Sequence, residues 1–160
     1  MLGRNLVRDE RLIRIQGIAV KGEHCYVTAL FICDHLGISA PLRFLVDTGN
    51  THTTLTEKTA KTLGIDITTL SEKPKFKISG IGGSSAGYLL AGVRLVFKAA
   101  DGTTVEEKLP HVRILKNPIP RNEEERKTLE SIPDLLGLDV IRRFNLRFDK
   151  HLFYLEREEE

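Results

Sequence analysis

A mainly β domain with one or two short helices is the fold class this chain predicts. Three observations carry it. Short apolar or alternating runs recur along most of the sequence, turn residues close nearly every one of them, and helix-start signals are sparse.

In order, "RLIRIQGIAV" and "HCYVTALFIC" alternate or run apolar as strands do, and "CDHLGIS" supplies the turn between the second and "PLRFLVD". Thr54 and Glu57 have capping-box spacing, which predicts a helix running to Leu63 with Gly64 as its stop. Further strands are expected at "KFKISG", "GYLLAGVRLVFK", "TTVEEKLP" and "HVRILK", with Asp101-Gly102 turning a hairpin. Segment 116–131, "KNPIPRNEEERKTLES", combines prolines with a dense charge run. It reads as a solvated loop and exposed helical turn inserted in the domain, or as a lid or partner-binding insertion. "IPDLLGLDVIRRFNLRFDKHLFYLE" reads as a strand into a glycine, a short helix, and a closing hairpin around Asp149-Lys150. No repeat or low-complexity linker divides the chain. One domain over 1–160 is expected, with an N-terminal strand region at 1–22 and a frayed acidic tail at 156–160.

Composition narrows the function. The chain is 41% hydrophobic and 29% charged, with no apolar run of the roughly 18 residues a spanning helix needs, so neither disorder nor a membrane span is expected. The start alternates charges with aliphatics, which argues against a secretory signal and for a cytoplasmic protein. Net charge is only +2, from 24 basic and 22 acidic residues spread along the chain, so nucleic acid is not an expected partner. Cys25 and Cys33 are eight apart with no Cys-x-x-Cys pairing and read as small buried thiols. The five histidines form no metal-ligand spacing, and no metal or other cofactor is implied.

The informative stretch is "FLVDTGNTHTTL", where Asp47 ends an apolar run. A carboxylate at the end of a buried strand must be hydrogen-bonded, paired or functional. Gly49 permits close backbone approach and Thr48 supplies a hydroxyl to fix a neighbouring loop, so Asp47 can be held facing a cleft. Asp139 in "GLDVI" reads as a helix N-cap, and Asp134 in "IPDLL" as a turn residue.

"FLVDTG" followed by "LTEKTAKTLGI", then "ISGIGGSSAGY", then "LLGLDVIRRFNLRFD" resembles the retropepsin-like (retroviral-type) aspartic proteases, in a cellular or prokaryotic form, across about residues 40–150. The resemblance implies an acid-protease half-barrel acting as a homodimer. It makes Asp47 the catalytic carboxylate with Thr48, Gly49 and Asn50 supporting its loop. It makes Ile81, Gly82 and Gly83 part of a substrate-covering flap, and Leu135, Leu136 and Gly137 a segment threading beside the catalytic loop. Metal-free peptide hydrolysis needs one group to take a proton and another to give one. Two carboxylates sharing one proton do both. Only one Asp-Thr-Gly is present, so the second Asp47 must come from a second chain, with a peptide or protein as substrate. Asn50 supports an alternative, a dimer of the same fold that binds peptides without hydrolysing them.

Overall fold

The computed structural model describes residues 11–21, 23–73 and 87–159. Ten strands form one sheet: β1 (Leu12–Val20), β2 (His24–Cys33), β3 (Ile38–Val46), β4 (Thr54–Leu55), β5 (Ser71–Lys73), β6 (Gly87–Lys98), β7 (Thr104–Leu115), β8 (Asp134–Leu136), β9 (Asn145–Asp149) and β10 (Leu152–Glu158). Among the described residues three α-helices accompany them: α1 (Glu57–Thr62), α2 (Glu123–Ser131) and α3 (Leu138–Ile141).

The strand order is β5-β6-β7-β4-β8-β3-β2-β1-β10-β9, and a further pairing of β6 with β2 closes six of them, β6-β7-β4-β8-β3-β2, into a ring. Closure removes the free edges that those strands would otherwise expose. Inside, the alternating residues of "HCYVTALFIC" and "GYLLAGVRLVFK" deliver Phe31, Leu95 and Phe97, which pack with Phe44, Leu55, Val112, Ile114 and Leu136 in one continuous core. β1, β10 and β9 extend the sheet beyond the ring, and Phe153 of β10 is fully buried against Gly17, where a Cβ would stand 2.0 Å from the phenyl ring.

Most predicted elements are present, and the departures have physical reasons. "TTVEEKLP" and "HVRILK" are one strand, β7, continuing through Pro110. Proline lacks an N–H, and it lies opposite Gly92, whose φ is 68° within the β6–β7 register. At that level β7 has not yet met β4, which joins only at Arg113 and Ile114. The cap of α1 stands two residues after the predicted one: Thr56 accepts the Thr59 N–H at 3.1 Å, whereas Thr54 belongs to β4. The hairpin at Asp101-Gly102 is a five-residue loop between β6 and β7, closed by the Ala99 N–H donating to the Thr103 carbonyl at 2.7 Å. The expected exposed helical turn in 116–131 is a nine-residue helix, α2, with no buried residue. The expected strand "KFKISG" lies outside the described residues. Cys33 is buried and Cys25 half-buried, both free thiols pushed up in pKa by burial. Among the described residues no helix is long and apolar enough to cross a membrane.

Candidate active site

Asp47 follows the last residue of β3 and is half-buried. Its backbone N–H donates to the Leu136 carbonyl at 3.0 Å, extending the parallel β3–β8 ladder in which Val46 faces Leu136. The chain then turns sharply. The Asn50 N–H donates to the Asp47 carbonyl at 3.2 Å, and the Gly49 N–H donates to Asp47 Oδ1 at 2.9 Å, which orients the carboxylate. A Cβ on Gly49 would stand 3.1 Å from that same oxygen, so any side chain there would press on the carboxylate. Thr48 and Gly49 are exposed in the single chain.

The rest of the loop is tied to the segment at 134–139. β8 runs between β3 and β4, parallel to the first and antiparallel to the second. The two strands that flank the Asp47 loop are therefore held apart by a strand from far along the chain. Beyond it, the Leu138 N–H donates to the Asn50 carbonyl at 2.8 Å and the Asp139 N–H to the Thr51 carbonyl at 3.2 Å. Gly137 sits so close that a Cβ would lie 2.4 Å from the His52 carbonyl carbon and 2.7 Å from the Thr53 nitrogen. Contacts that short require glycine, because the opposing atoms are backbone and cannot move aside.

Two aspartates act differently from their sequence readings. Asp139 is not an N-cap: Gly137 holds that position, and Asp139 lies inside α3. Its carboxylate instead accepts the Thr53 N–H at 3.0 and 2.9 Å and the Thr53 hydroxyl at 2.8 Å. Thr53 Oγ1 in turn accepts the Gly137 N–H at 3.2 Å. Asp134 is not a turn residue but part of β8, 8% exposed, accepting the Thr56 N–H and the Thr59 hydroxyl, each at 2.8 Å. It thereby fixes the start of α1. Burial raises the Asp134 pKa, and the three hydrogen bonds from Thr56 and Thr59 oppose the shift only in part.

Asn50 is 8% exposed, and its amide donates to Thr54 Oγ1 at 3.1 Å. The amide is spent bracing the loop. Next to it, His52 and His111 stack with ring centroids 5.8 Å apart, and His52 Nδ1 lies 2.8 Å from Thr51 Oγ1. Arg113, on β7, donates its N–H to the Thr53 carbonyl at 3.0 Å. Burial lowers the pKa of its guanidinium, and the nearby Asp139 charge works against that. Asp134, Asp139, His111 and Arg113 were not read as parts of this site because their partners lie 59 to 86 residues away. The structure brings together Asp47, Thr48, Gly49, Asn50, Leu135, Leu136 and Gly137, while Ile81, Gly82 and Gly83 lie outside the described residues.

A sequence model of the aspartyl protease family matches residues 32–109, which include the whole Asp47 loop. Among solved structures, the chain is similar to a retropepsin-like aspartic protease from Rickettsia conorii. The identity is 22%, the match covers 94% of this chain and 96% of that one, and the TM-score is 0.56. It also matches EIAV protease complexed with the inhibitor HBY-793 at 16% identity, over 76% of this chain and 88% of that one, with a TM-score of 0.44. No curated protein matches by sequence. The expected half-barrel is the observed fold. The aspartyl protease match runs through the Asp47 loop, and over nearly its whole length the chain has the retropepsin-like fold.

Proposed function

We propose that the protein is an aspartic endopeptidase whose active site forms between two copies of the chain, each a single retropepsin-like domain contributing one Asp47. The observation that carries this reading is the bracing of Asp47: a half-buried carboxylate oriented by the Gly49 N–H, on a loop tied by backbone bonds to β8 and α3. Such rigidity is what general acid–base chemistry demands of its groups.

In the proposed mechanism the two Asp47 carboxylates share one proton, because two like charges so close cannot both ionise easily. The ionised partner takes a proton from a water molecule as it attacks the scissile carbonyl. The protonated partner gives its proton to the carbonyl oxygen. Thr48 and Gly49, exposed in the single chain, are proposed to meet the second copy. Asn50, Leu135, Leu136 and Gly137 keep the loop in place, and Ile81, Gly82 and Gly83 are proposed to cover the bound peptide. The engagement of the Asn50 amide by Thr54, away from the carboxylate, favours hydrolysis over the binding-only alternative.

Asp47→Asn is nearly isosteric but cannot exchange the proton, so peptide cleavage should fall to background with the dimer intact. When equal amounts of wild-type and Asp47→Asn chains exchange freely, about one quarter of full activity should remain, since only wild-type pairs keep both carboxylates. A value near one half, with exchange confirmed by mass spectrometry, would mean that each chain works alone.

A further inference from the structure

Along β7, Val105, Glu107 and Leu109 share the buried face, and none of the three is more than 4% exposed. Neighbouring Glu106 faces the other way and pairs with Arg94. An aliphatic side chain would complete the buried row, yet the chain places a carboxylate in it. A buried charge is costly unless it is paired and its oxygens are hydrogen-bonded. Glu107 meets both conditions: its Oε2 accepts from Arg143 Nη1 at 2.5 Å, and its Oε1 accepts from Arg157 Nη1.

The two arginines brace one turn of the chain. Arg143 is the second residue past α3, and its N–H donates to the Val140 carbonyl at 3.0 Å, so it continues the helical turn. Its guanidinium also reaches the Lys108 carbonyl at 3.4 Å. Arg157 belongs to β10, and its guanidinium lies over the ring of Phe144, 4.7 Å from the centroid. Glu107 thus pins the C-terminal end of a helix only four residues long. At about 1.5 Å per residue, its two ends are about 6 Å apart. The other end is the one that holds the Asp47 loop, through the Leu138 and Asp139 N–H groups and the Asp139 carboxylate.

Stability alone does not call for such a triad, since well-packed apolar residues in place of buried ion pairs hold a fold as well or better. Hydrogen bonds between a carboxylate and two planar guanidiniums supply direction, which aliphatic contacts do not. We propose that Glu107 is a positioning residue for cleavage: through Arg143 it sets the place of α3, and through α3 the aim of Asp47. The inference rests on the proposed role of Asp47 in hydrolysis.

The test uses the full-length chain at concentrations that saturate the dimer. Glu107→Gln and Arg143→Met should each lower kcat by about tenfold or more while KM stays within about twofold, because a misaimed carboxylate is felt in the transition state. Arg143→Lys should regain most of what Arg143→Met loses. The double variant E107Q/R143M should be no slower than the slower single variant, as expected of two groups acting through one contact. Val105→Ala, on the same buried face but outside the triad, should lower the urea midpoint and leave kcat unchanged. Amide exchange followed by mass spectrometry should quicken in 50–53 and 138–141 for Glu107→Gln and Arg143→Met, and not for Val105→Ala. Unchanged exchange in those segments, losses that multiply in the double variant, or a kcat untouched by both single variants would overturn the proposal. Should Glu107→Gln not fold, the two Arg143 variants decide it by the same measures. If the wild-type chain cleaved no peptide, the endopeptidase reading would fall by itself, and the exchange measurement would still decide whether Glu107 holds the loop.

Discussion

The Asp47 loop and the charged segment at 116–131 are both irregular excursions from the barrel, and they are held in opposite ways. The loop's partners are distant and mostly backbone: Leu136, Leu138 and Asp139 meet it by main-chain bonds, and Asp139 clamps Thr53 from 86 residues away. Segment 116–131 holds itself. Asn122 caps α2 by accepting the Glu125 N–H at 2.8 Å, Arg121 pairs with Glu125, and Arg126 bridges Glu123 and Glu130. The Asn117 N–H, donating to Glu57 at 2.8 Å, and Lys58, reaching the Glu130 carbonyl at 3.4 Å, tie it to α1. Ile119, 91% exposed, projects between grooves of about 690 and 710 Å³, neither lined by a residue of the Asp47 loop. A geometry that must be exact is anchored to the core, whereas a surface that has only to be present can rest on local pairs.

The sharpest way to break this contrast is Gly137→Ala. The added methyl would press on backbone atoms of His52 and Thr53, which should cost about 3 kcal/mol or more in urea unfolding and abolish activity. A variant with wild-type stability would show that the loop can yield. Asp139→Ala comes next. It strips the buried Thr53 N–H and hydroxyl of their acceptor, for a loss of about 2–3 kcal/mol. Asp139→Asn, which keeps one acceptor oxygen, should lose less, and an equal loss would count against the clamp.

Asp134 sharpens the comparison through pH. Its folded pKa is raised by burial, so the stability linked to it is fully present below the unfolded value, about 3.9, and is lost as pH rises through the raised value. The advantage of wild type over Asp134→Asn in urea midpoint should therefore shrink between pH 3 and pH 8. A constant or widening gap would contradict the assignment. The smallest effect belongs to the charged segment. Asn122→Ala should destabilise α2 by about 1 kcal/mol, seen as faster amide exchange in 123–131, with no change in global melting or in cleavage. Lost cleavage in that variant would give the segment a role in the reaction.

What could be read beforehand follows the same division. Strands with alternating patterns, the Gly64 stop of α1 and the position of Asp47 at a strand end are local properties, and they were legible. Thr54 was mistaken for a cap because two threonines stand two residues apart, and only the parallel pairing of Thr54 with Arg113 removes it from the helix. The strand through Pro110 was unreadable because what tolerates it is Gly92 across the ladder. In isolation Asp139 resembles an ordinary cap and Asp134 a turn residue. Their work is defined by Thr56, Thr59 and Thr53, which local pattern cannot connect to them.

The passage of β8 between β3 and β4 also has a consequence in time. Asp47 leaves the ribosome long before Asp139, and until the later segment arrives the loop lacks the strand that separates its flanks and the carboxylate that clamps Thr53. Contacts of such sequence separation form late, after the costly closure of the chain between them. A nascent or truncated chain ending before residue 134 would carry the Asp-Thr-Gly yet lack the scaffold that aims it. For a protein proposed to cut other proteins, this ordering works as a safeguard: the Asp-Thr-Gly is made well before the segment that aims it.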